Sequence, residues 1–415
     1  MKKFNVIVIG GGASGLMAAG KAAQSGASVL LLEKMKHPAR KLRISGKGRC
    51  NLTNTAPMSD FIKHIGKNGR FLRPAFAEFF SKELILFIET LGLKTIEERG
   101  GRIFPVCQDA KQVVDALHKW VLDNGVTLLC ESEVKQLMIE ENAIKGVKLL
   151  NQTTYAADSV IIATGGASYP ATGSTGDGYR FAKEAGHQII PIRPMLVPII
   201  TKGNIAKRLE GLSLKNVNVN VWVNDKKCAH EFGEMVFTDD GMSGPIILSL
   251  SRLFIDDIKL NKKVIFSIDL KPALDDQKLD ARILRDINEN GKMLFSSLAK
   301  LWLPTKLVSV FIDLINIPYN KLANQINAEE RKKIRLWLKN FKFEVIGNRS
   351  FAEAIITAGG VDVTEINPMT LESKLVKNLY FAGEVMDLDA DTGGYNLQIA
   401  FSTGWLAGKS SAKID

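Results

Sequence analysis

FNVIVIGGGASG (Phe4–Gly15), followed by SVLLLE (Ser28–Glu33), opens the chain with a β-branched run that ends directly in glycines. A small-residue helix from Leu16 to Gln24 and Gly26 lie between the two stretches. The order is strand, G-x-G-x-x-G, helix, strand, acid within about thirty residues, the pattern of a dinucleotide-binding unit. Gly10 permits the tight turn, Gly12 lets the backbone approach a pyrophosphate, and Gly15 lets helix pack on strand. Ala13 and Ser14 start the helix, whose N-terminus offers unpaired N–H groups and a positive dipole end to phosphates. Glu33 is placed to accept ribose hydroxyls and would repel a 2′-phosphate.

The cofactor must be long, because small-residue turns recur far along the chain. Ser159–Ala163 reads as a strand closing on Thr164-Gly165-Gly166. Asn378–Ala382 is another, running into Gly383-Glu384 and then Gly393-Gly394-Tyr395-Asn396, with a helix over Leu397–Lys409. A molecule touched by the first sixty residues, the middle and the last forty is better matched by FAD than by NAD. Only one dinucleotide fingerprint is present. NAD(P)H therefore docks transiently without a domain of its own, or another donor or the substrate itself reduces the flavin.

Composition sets the outer bounds. The 415 residues are 46% hydrophobic and 24% charged, which excludes disordered, collagenous and disulfide-scaffold classes. No apolar run reaches the roughly 18 residues of a membrane helix. Leu294–Ile317 is apolar, but Lys300, Pro304, Lys306 and Asp313 interrupt it, so a helical core is expected there. Cys50, Cys107, Cys130 and Cys228 form no C-x-x-C pair and no metal spacing, which fits a reducing, cytoplasmic compartment. The net charge of +11 is localised: residues 1–75 hold fourteen basic residues against Glu33 and Asp60 alone. FAD carries two phosphates, so most of this excess calls for another anion, such as an RNA backbone along residues 34–73. Against RNA, no aromatic-rich basic stripe or familiar RNA-binding module is visible.

Five segments together resemble the HI0933-like flavoprotein family: Arg40–Asn54, Ile162–Tyr179, Phe237–Pro245, Phe381–Asp387 and Thr392–Gln398. Members carry names such as aminoacetone oxidase-like or bile-acid-reductase-like oxidoreductase. The resemblance runs over essentially the whole chain. It implies an α/β fold: a Rossmann-like FAD-binding domain of the glutathione-reductase and fumarate-reductase kind, with an inserted β-barrel plus helical domain. The FAD-binding domain is expected over 1–195 and 346–415, and the inserted substrate or cap domain over 196–345. The residues agree, since Val217, Val219, Val221 and Val223 alternate with Asn216, Asn218, Asn220 and Trp222 as in a strand. Helical spacing follows around Ile283–Trp302 and Ile334–Trp337.

Carried onto this chain, the resemblance implies FAD contacts at Gly10, Gly12, Ala13, Ser14, Gly15, Glu33 and Lys34. Arg40 and Lys41 belong near the phosphates, and Ser45, Gly46, Arg49, Cys50 and Asn51 beside the flavin. Val134 meets the adenine through its backbone, while Ala163, Thr164, Gly165, Gly383, Glu384 and Asp387 line the cofactor. Gly394, Tyr395, Asn396 and Leu397 begin a helix aimed at the flavin N1–C2=O edge, where its dipole favours the reduced anion. The Gly241–Pro245 turn is expected to face the substrate cleft. Asp177 is expected to cap the helix that follows it. The five histidines stand alone in sequence, with no Ser or Cys partner for a triad. Tyr169 and Tyr395 are therefore the candidate proton donors. No metal site is expected.

Three activities fit. One is hydride transfer from flavin N5 to a small molecule's conjugated C=C bond, with NAD(P)H as donor. Another is reduction of uridine to dihydrouridine in ribosomal RNA, the same chemistry on a conjugated enone. The third is an amine oxidase using oxygen, for which the acidic run Asp387–Asp391 could attract a cation. An FAD-binding regulator without turnover explains nothing better. The oligomeric state is not readable from the sequence.

Overall fold

In the computed structural model, which describes residues 2–412, the chain separates into two compact units. One comprises the described residues up to Pro194 together with those from Phe351; the other is Met195–Ser350.

The first unit is built on a seven-stranded sheet. Strand Lys2–Ile9 pairs in parallel with Val29–Leu32 on one side and Thr154–Ile162 on the other. Thr127–Leu129 extends the sheet beyond Val29–Leu32. The far edge of Thr154–Ile162 is shared, with Leu379–Phe381 parallel along Val160–Ile162 and Ala143–Leu149 antiparallel near Thr154–Ala156. The strand that carries the fingerprint is thus central, and its residues from Val6 to Ile9 are buried. Near-continuous apolar sequence is what a parallel strand covered on both faces requires. The strand from near the C-terminus joins the same sheet, so the two ends of the chain make one domain.

Helix Ala13–Gln24 packs against the C-terminal helix Tyr395–Ser411 at backbone distance. A Cβ at Gly404 would collide with Ser14 O, and one at Gly408 with Ala18 O. On the other face, a Cβ at Gly20 would strike the ring of Trp120, which lies on helix Ala110–Asp123. Small residues at these positions decide how close the helices come, more than apolar spacing does.

The second unit is a closed barrel of six strands with a helical piece. Around the barrel run Ile199–Thr201, Gly241–Ser243, Lys226–Phe237, Ser213–Val223, Val264–Asp269 and Phe341–Asn348. The expected alternation holds: Val217, Val219 and Val221 are buried, and Asn218 and Asn220 are half-buried. The architecture is therefore the expected one, a Rossmann-type α/β unit and a barrel-plus-helices insert. Helices Asp276–Glu289, Thr305–Ile315 and Ala328–Lys339 supply the second core, to which Phe295, Leu307, Val310 and Phe311 contribute. Leu294–Ile317 is thus largely core. Among the described residues no helix is long and apolar enough to cross a membrane.

Gly404→Val is expected to destabilise the protein by about 2 kcal/mol, because the collision is with backbone that cannot move aside. Differential scanning calorimetry should show a lowered melting temperature. The control Gly347→Ala, whose Cβ would find no atom nearer than 3.8 Å, should leave it nearly unchanged.

Candidate cofactor and active site

The site grows from the turn after the first strand. Gly10 has φ +100°, and a Cβ there would sit 2.6 Å from Ala163 O. A Cβ at Gly15 would collide with Gly10 O. At Gly12 a Cβ would meet nothing within 4 Å. The outer two glycines are required by packing; the middle one faces open space, as a cradle for a ligand does. Helix Ala13–Gln24 has no side-chain cap at Gly12, so no side chain fills its anion-attracting end.

Glu33 is buried at the end of its strand. Its Oε2 accepts from Gly11 N at 2.9 Å and its Oε1 from Met35 N at 2.7 Å. Burial pushes the carboxyl up from the ordinary range, opposed by these hydrogen bonds. Each oxygen retains a lone pair for a hydroxyl ligand. Ser132 N donates to Glu33 O, which brings the loop before buried Val134 alongside.

Two lysines expected near the cofactor are drawn into internal pairs. Lys34 meets both Asp177 and Thr175 Oγ1. Asp177 is not the cap of its helix: Gly176 occupies that position, and the Asp177 carboxylate turns to Lys34 instead. An available ammonium outcompetes a cap for a carboxylate at the first helical position. Lys41 Nζ binds Glu384 Oε2 at 2.8 Å and Ser168 Oγ at 2.6 Å. Glu384 Oε1 accepts from Thr357 N at 2.7 Å, and Thr357 Oγ1 accepts from Ala167 N and Ser168 N. This network ties together the segments after Ala163 and after Gly383. A Cβ at Gly383 would lie 2.5 Å from Ser14 Oγ, so that turn abuts the helix start. Gly165 has φ +72°, and the Thr164 hydroxyl is buried with no partner among the described residues.

The second glycine-rich loop, Ser45–Gly48, holds Gly46 and Lys47 in the left-handed region, and Ser45 Oγ donates to Leu42 O. Arg49 turns to Glu98 and Gln108, both at 2.9 Å, with its guanidinium 4.1 Å over the Phe104 ring. Cys50 is fully buried, and burial pushes its thiol up to about 12, so it is a packed thiol without nucleophilic character. The Asn51 amide is fixed by its surroundings, its Nδ2 toward Ile103 O and Thr53 O and its Oδ1 accepting from Gly394 N at 2.9 Å. Gly394 has φ +99° and begins the C-terminal helix without a side-chain cap. Asn396 folds back onto Ala390 and Asp391, leaving half-buried Leu397 behind it.

Tyr169 has φ +52°, an uncommon conformation for a bulky residue, in the turn that follows Ser168. Its hydroxyl makes no hydrogen bond among the described residues. Tyr395 is buried, with Phe61 at 4.6 Å edge-on and His64 stacked at 4.4 Å. Burial and the Asp391 charge push its phenol up. The acidic run is compensated internally: Asp387 accepts from Asn68 at 2.9 Å and faces Lys67, and Asp391 faces His64.

One histidine does meet a serine in the fold, although not as part of a nucleophilic triad. His187 lies between Glu365, 3.0 Å from Nδ1, and Ser373 Oγ, 2.8 Å from Nε2. Residues 178 and 186 positions apart meet here, and no local spacing could signal that. The trio is not a nucleophilic triad, because Ser373 Oγ already accepts from Leu375 N and Val376 N. It fastens the segment after Val363 to the start of strand Ile189–Met195.

An open glycine cradle, an uncapped helix start, and a buried acid at the next strand end define a Rossmann-type dinucleotide-binding oxidoreductase. A family model described as the HI0933-like protein Rossmann domain matches residues 4–410. The ribosomal RNA dihydrouridine synthase of Escherichia coli is 31% identical, over 99% of this chain and 100% of that protein. The 3-dehydro-bile acid delta(4,6)-reductase of Clostridium scindens is 30% identical over 98% of each. Among solved structures, the 3-ketosteroid delta1-dehydrogenase of Sterolibacterium denitrificans shares the fold, with TM-score 0.52, 14% identity, and coverage of 99% of this chain and 100% of that one. The chain belongs to the HI0933-like family of FAD-dependent oxidoreductases.

Burial lowers the His187 pKa against the pull of Glu365. The folded state thus binds fewer protons there than the unfolded chain. This stability is present above about pH 6.5 and is lost as pH falls toward the folded-state value. The loss should approach about 1.4 kcal/mol per pH unit where only the unfolded state is protonated. Denaturant titrations from pH 8 to pH 5.5 should show that His187→Gln is weaker at pH 8 and falls less steeply.

Proposed function

We propose that this protein is an FAD-dependent reductase of a C=C bond conjugated to a carbonyl, and that its substrate is a uridine of RNA. The Gly10–Gly15 turn and the following helix start would hold the pyrophosphate, and Glu33 the ribose hydroxyls. The orphaned Thr164 hydroxyl and Gly165 would lie along the cofactor, and the Gly394–Leu397 helix start would face its flavin end. When bound, FAD supplies two-electron chemistry that side chains lack.

The reduction reading is supported by what the named relatives' products and substrates have in common. Making dihydrouridine removes a ring C=C conjugated to a carbonyl, and a bile acid delta(4,6)-reductase acts on bonds of the same electronic kind. The observation that carries the RNA reading is the set of cations with no acidic partner among the described residues. Lys36, Arg40, Lys47, Arg70 and Arg73 are all exposed, whereas Lys34, Lys41, Arg43, Arg49, Lys63 and Lys67 are each paired. Two phosphates of one FAD cannot account for five open cations on one segment, but a polyanion can. Lys67 faces Asp387, and Asp391 is engaged by the His64 ring, so these two carboxylates already have partners within the chain, which weakens the case for a cationic amine there.

Three experiments test this. Gly12→Val should fold with a melting temperature close to that of the cofactor-free protein, yet lose the 450 nm absorbance of bound flavin; retained absorbance would contradict the cradle. Lys36→Glu/Arg70→Glu/Arg73→Glu should weaken binding of a ribosomal RNA transcript at least tenfold. It should also lower the magnitude of the log K against log salt slope by roughly 0.7 per lost phosphate contact. Mixing the anaerobic yellow protein with NADH or NADPH identifies the donor, with rapid bleaching expected.

A further inference from the structure

His64 and Asp391 form a second carboxylate–imidazole pair, unlike the one at His187. His64 Nδ1 lies 2.9 Å from Asp391 Oδ2, and Asp391 N donates to His64 O at 2.9 Å. The ring stacks on Tyr395 with centroids 4.4 Å apart and planes at 21°. Ring plane, tautomer and direction are thus fixed from three sides. The side chain is nevertheless 44% exposed, and Nε2 has no partner among the described residues. At His187 both nitrogens are engaged and the side chain is fully buried, as suits a structural clamp. A histidine oriented by a carboxylate with its second nitrogen open is the geometry of a general acid or base.

Its position gives it a purpose. An antiparallel bridge joins Ile65 to Ala390, and Asn396 grips Ala390 and Asp391, so the pair is built onto the first turn of the C-terminal helix. Tyr395 is the first residue of that helix. Its phenol is pushed up by burial and by the Asp391 charge, and its ring is the platform on which His64 stacks. Of the other charged groups near the pair, Lys63 meets Asp60 at 2.6 Å and Lys67 meets Asp387 at 3.3 Å, while the Asp389 carboxylate lies against Gly66.

We infer that His64, held by Asp391, is the proton donor of the reduction, an assignment that rests on the conjugated-bond reading above. The substrate's β-carbon gains a hydride, which the reduced flavin supplies, and its α-carbon gains the proton of His64 Nε2. The C=C π bond is lost and two C–H bonds form. The imidazolium becomes imidazole and regains a proton from water at its exposed edge, while Asp391 stays ionised throughout.

The test uses the FAD-loaded full chain, reduced anaerobically by light so that no natural donor is needed. Reduced enzyme is mixed with 2-cyclohexen-1-one or with a ribosomal RNA transcript, and the return of 450 nm absorbance is followed. His64→Ala should slow this return by roughly 100-fold or more, with flavin content and melting temperature unchanged. Added imidazole should restore part of the rate, and Asp391→Asn should lose roughly tenfold. Nitrogen-15 shifts should show Nδ1–H in the wild type and a tautomer mixture in Asp391→Asn. His118→Ala, a ring without a carboxylate partner, should behave as wild type. If neither probe reoxidises the wild type, the conjugated-bond reading fails and takes the assignment with it. If the wild type is reoxidised but His64→Ala stays within threefold of it, or is slowed without imidazole rescue, the assignment alone is overturned.

Discussion

The turn from Gly10 to Gly15 presses against backbone on two sides, with Ala163 O under Gly10 and Gly10 O under Gly15. That approach sets the distance between the first helix and the strand ending at Ile162, and Ala163 N donating to Ile9 O locks the register. The strand Leu379–Phe381 then pairs along Val160–Ile162, so the start of the C-terminal helix is carried to the same end of the sheet. Close helix packing over Ser14 and Ala18 requires Gly404 and Gly408. A side chain at Gly10 or Gly15 would move every group of the site together, whereas one at Gly12 would fill only the ligand space.

Much of this frame was legible because it is local. Strand, turn, helix and acid lie within thirty residues, and each residue type answers to a nearby backbone requirement. The Val217–Val223 alternation likewise announced a strand buried on one side. The barrel's short members, Ile199–Thr201 and Gly241–Ser243, carry too few residues to show any period. Side-chain partners were largely hidden. Lys41 meets Glu384, 343 residues away, and His64 meets Asp391, 327 away. Asp177 illustrates the cause: next to a helix start it reads as a cap, and only the fold reveals the ammonium of Lys34 beside it.

The same long-range pairing changes how the charge of the amino-terminal segment is understood. As a sequence it is a uniform basic excess; as a structure it is two populations. Lysines and arginines that reach inward are matched by Glu384, Asp177 and Glu98, and serve to join distant segments. Lys36, Arg40, Lys47, Arg70 and Arg73 are left outside, exposed and without an acidic partner among the described residues, and an exposed cation without a counter-charge adds to the field that an approaching anion meets. Exposed ion pairs contribute little stability on their own, so this division matters more for ligand approach than for folding.

The glycine cradle, Glu33 and the C-terminal helix start are expected to act as one FAD site. Native mass spectrometry of the purified chain, before and after incubation with excess FAD, tests it most directly. One FAD per chain, released only on unfolding, is expected. A chain that stays cofactor-free in excess FAD, or that retains a different nucleotide in its place, would contradict it.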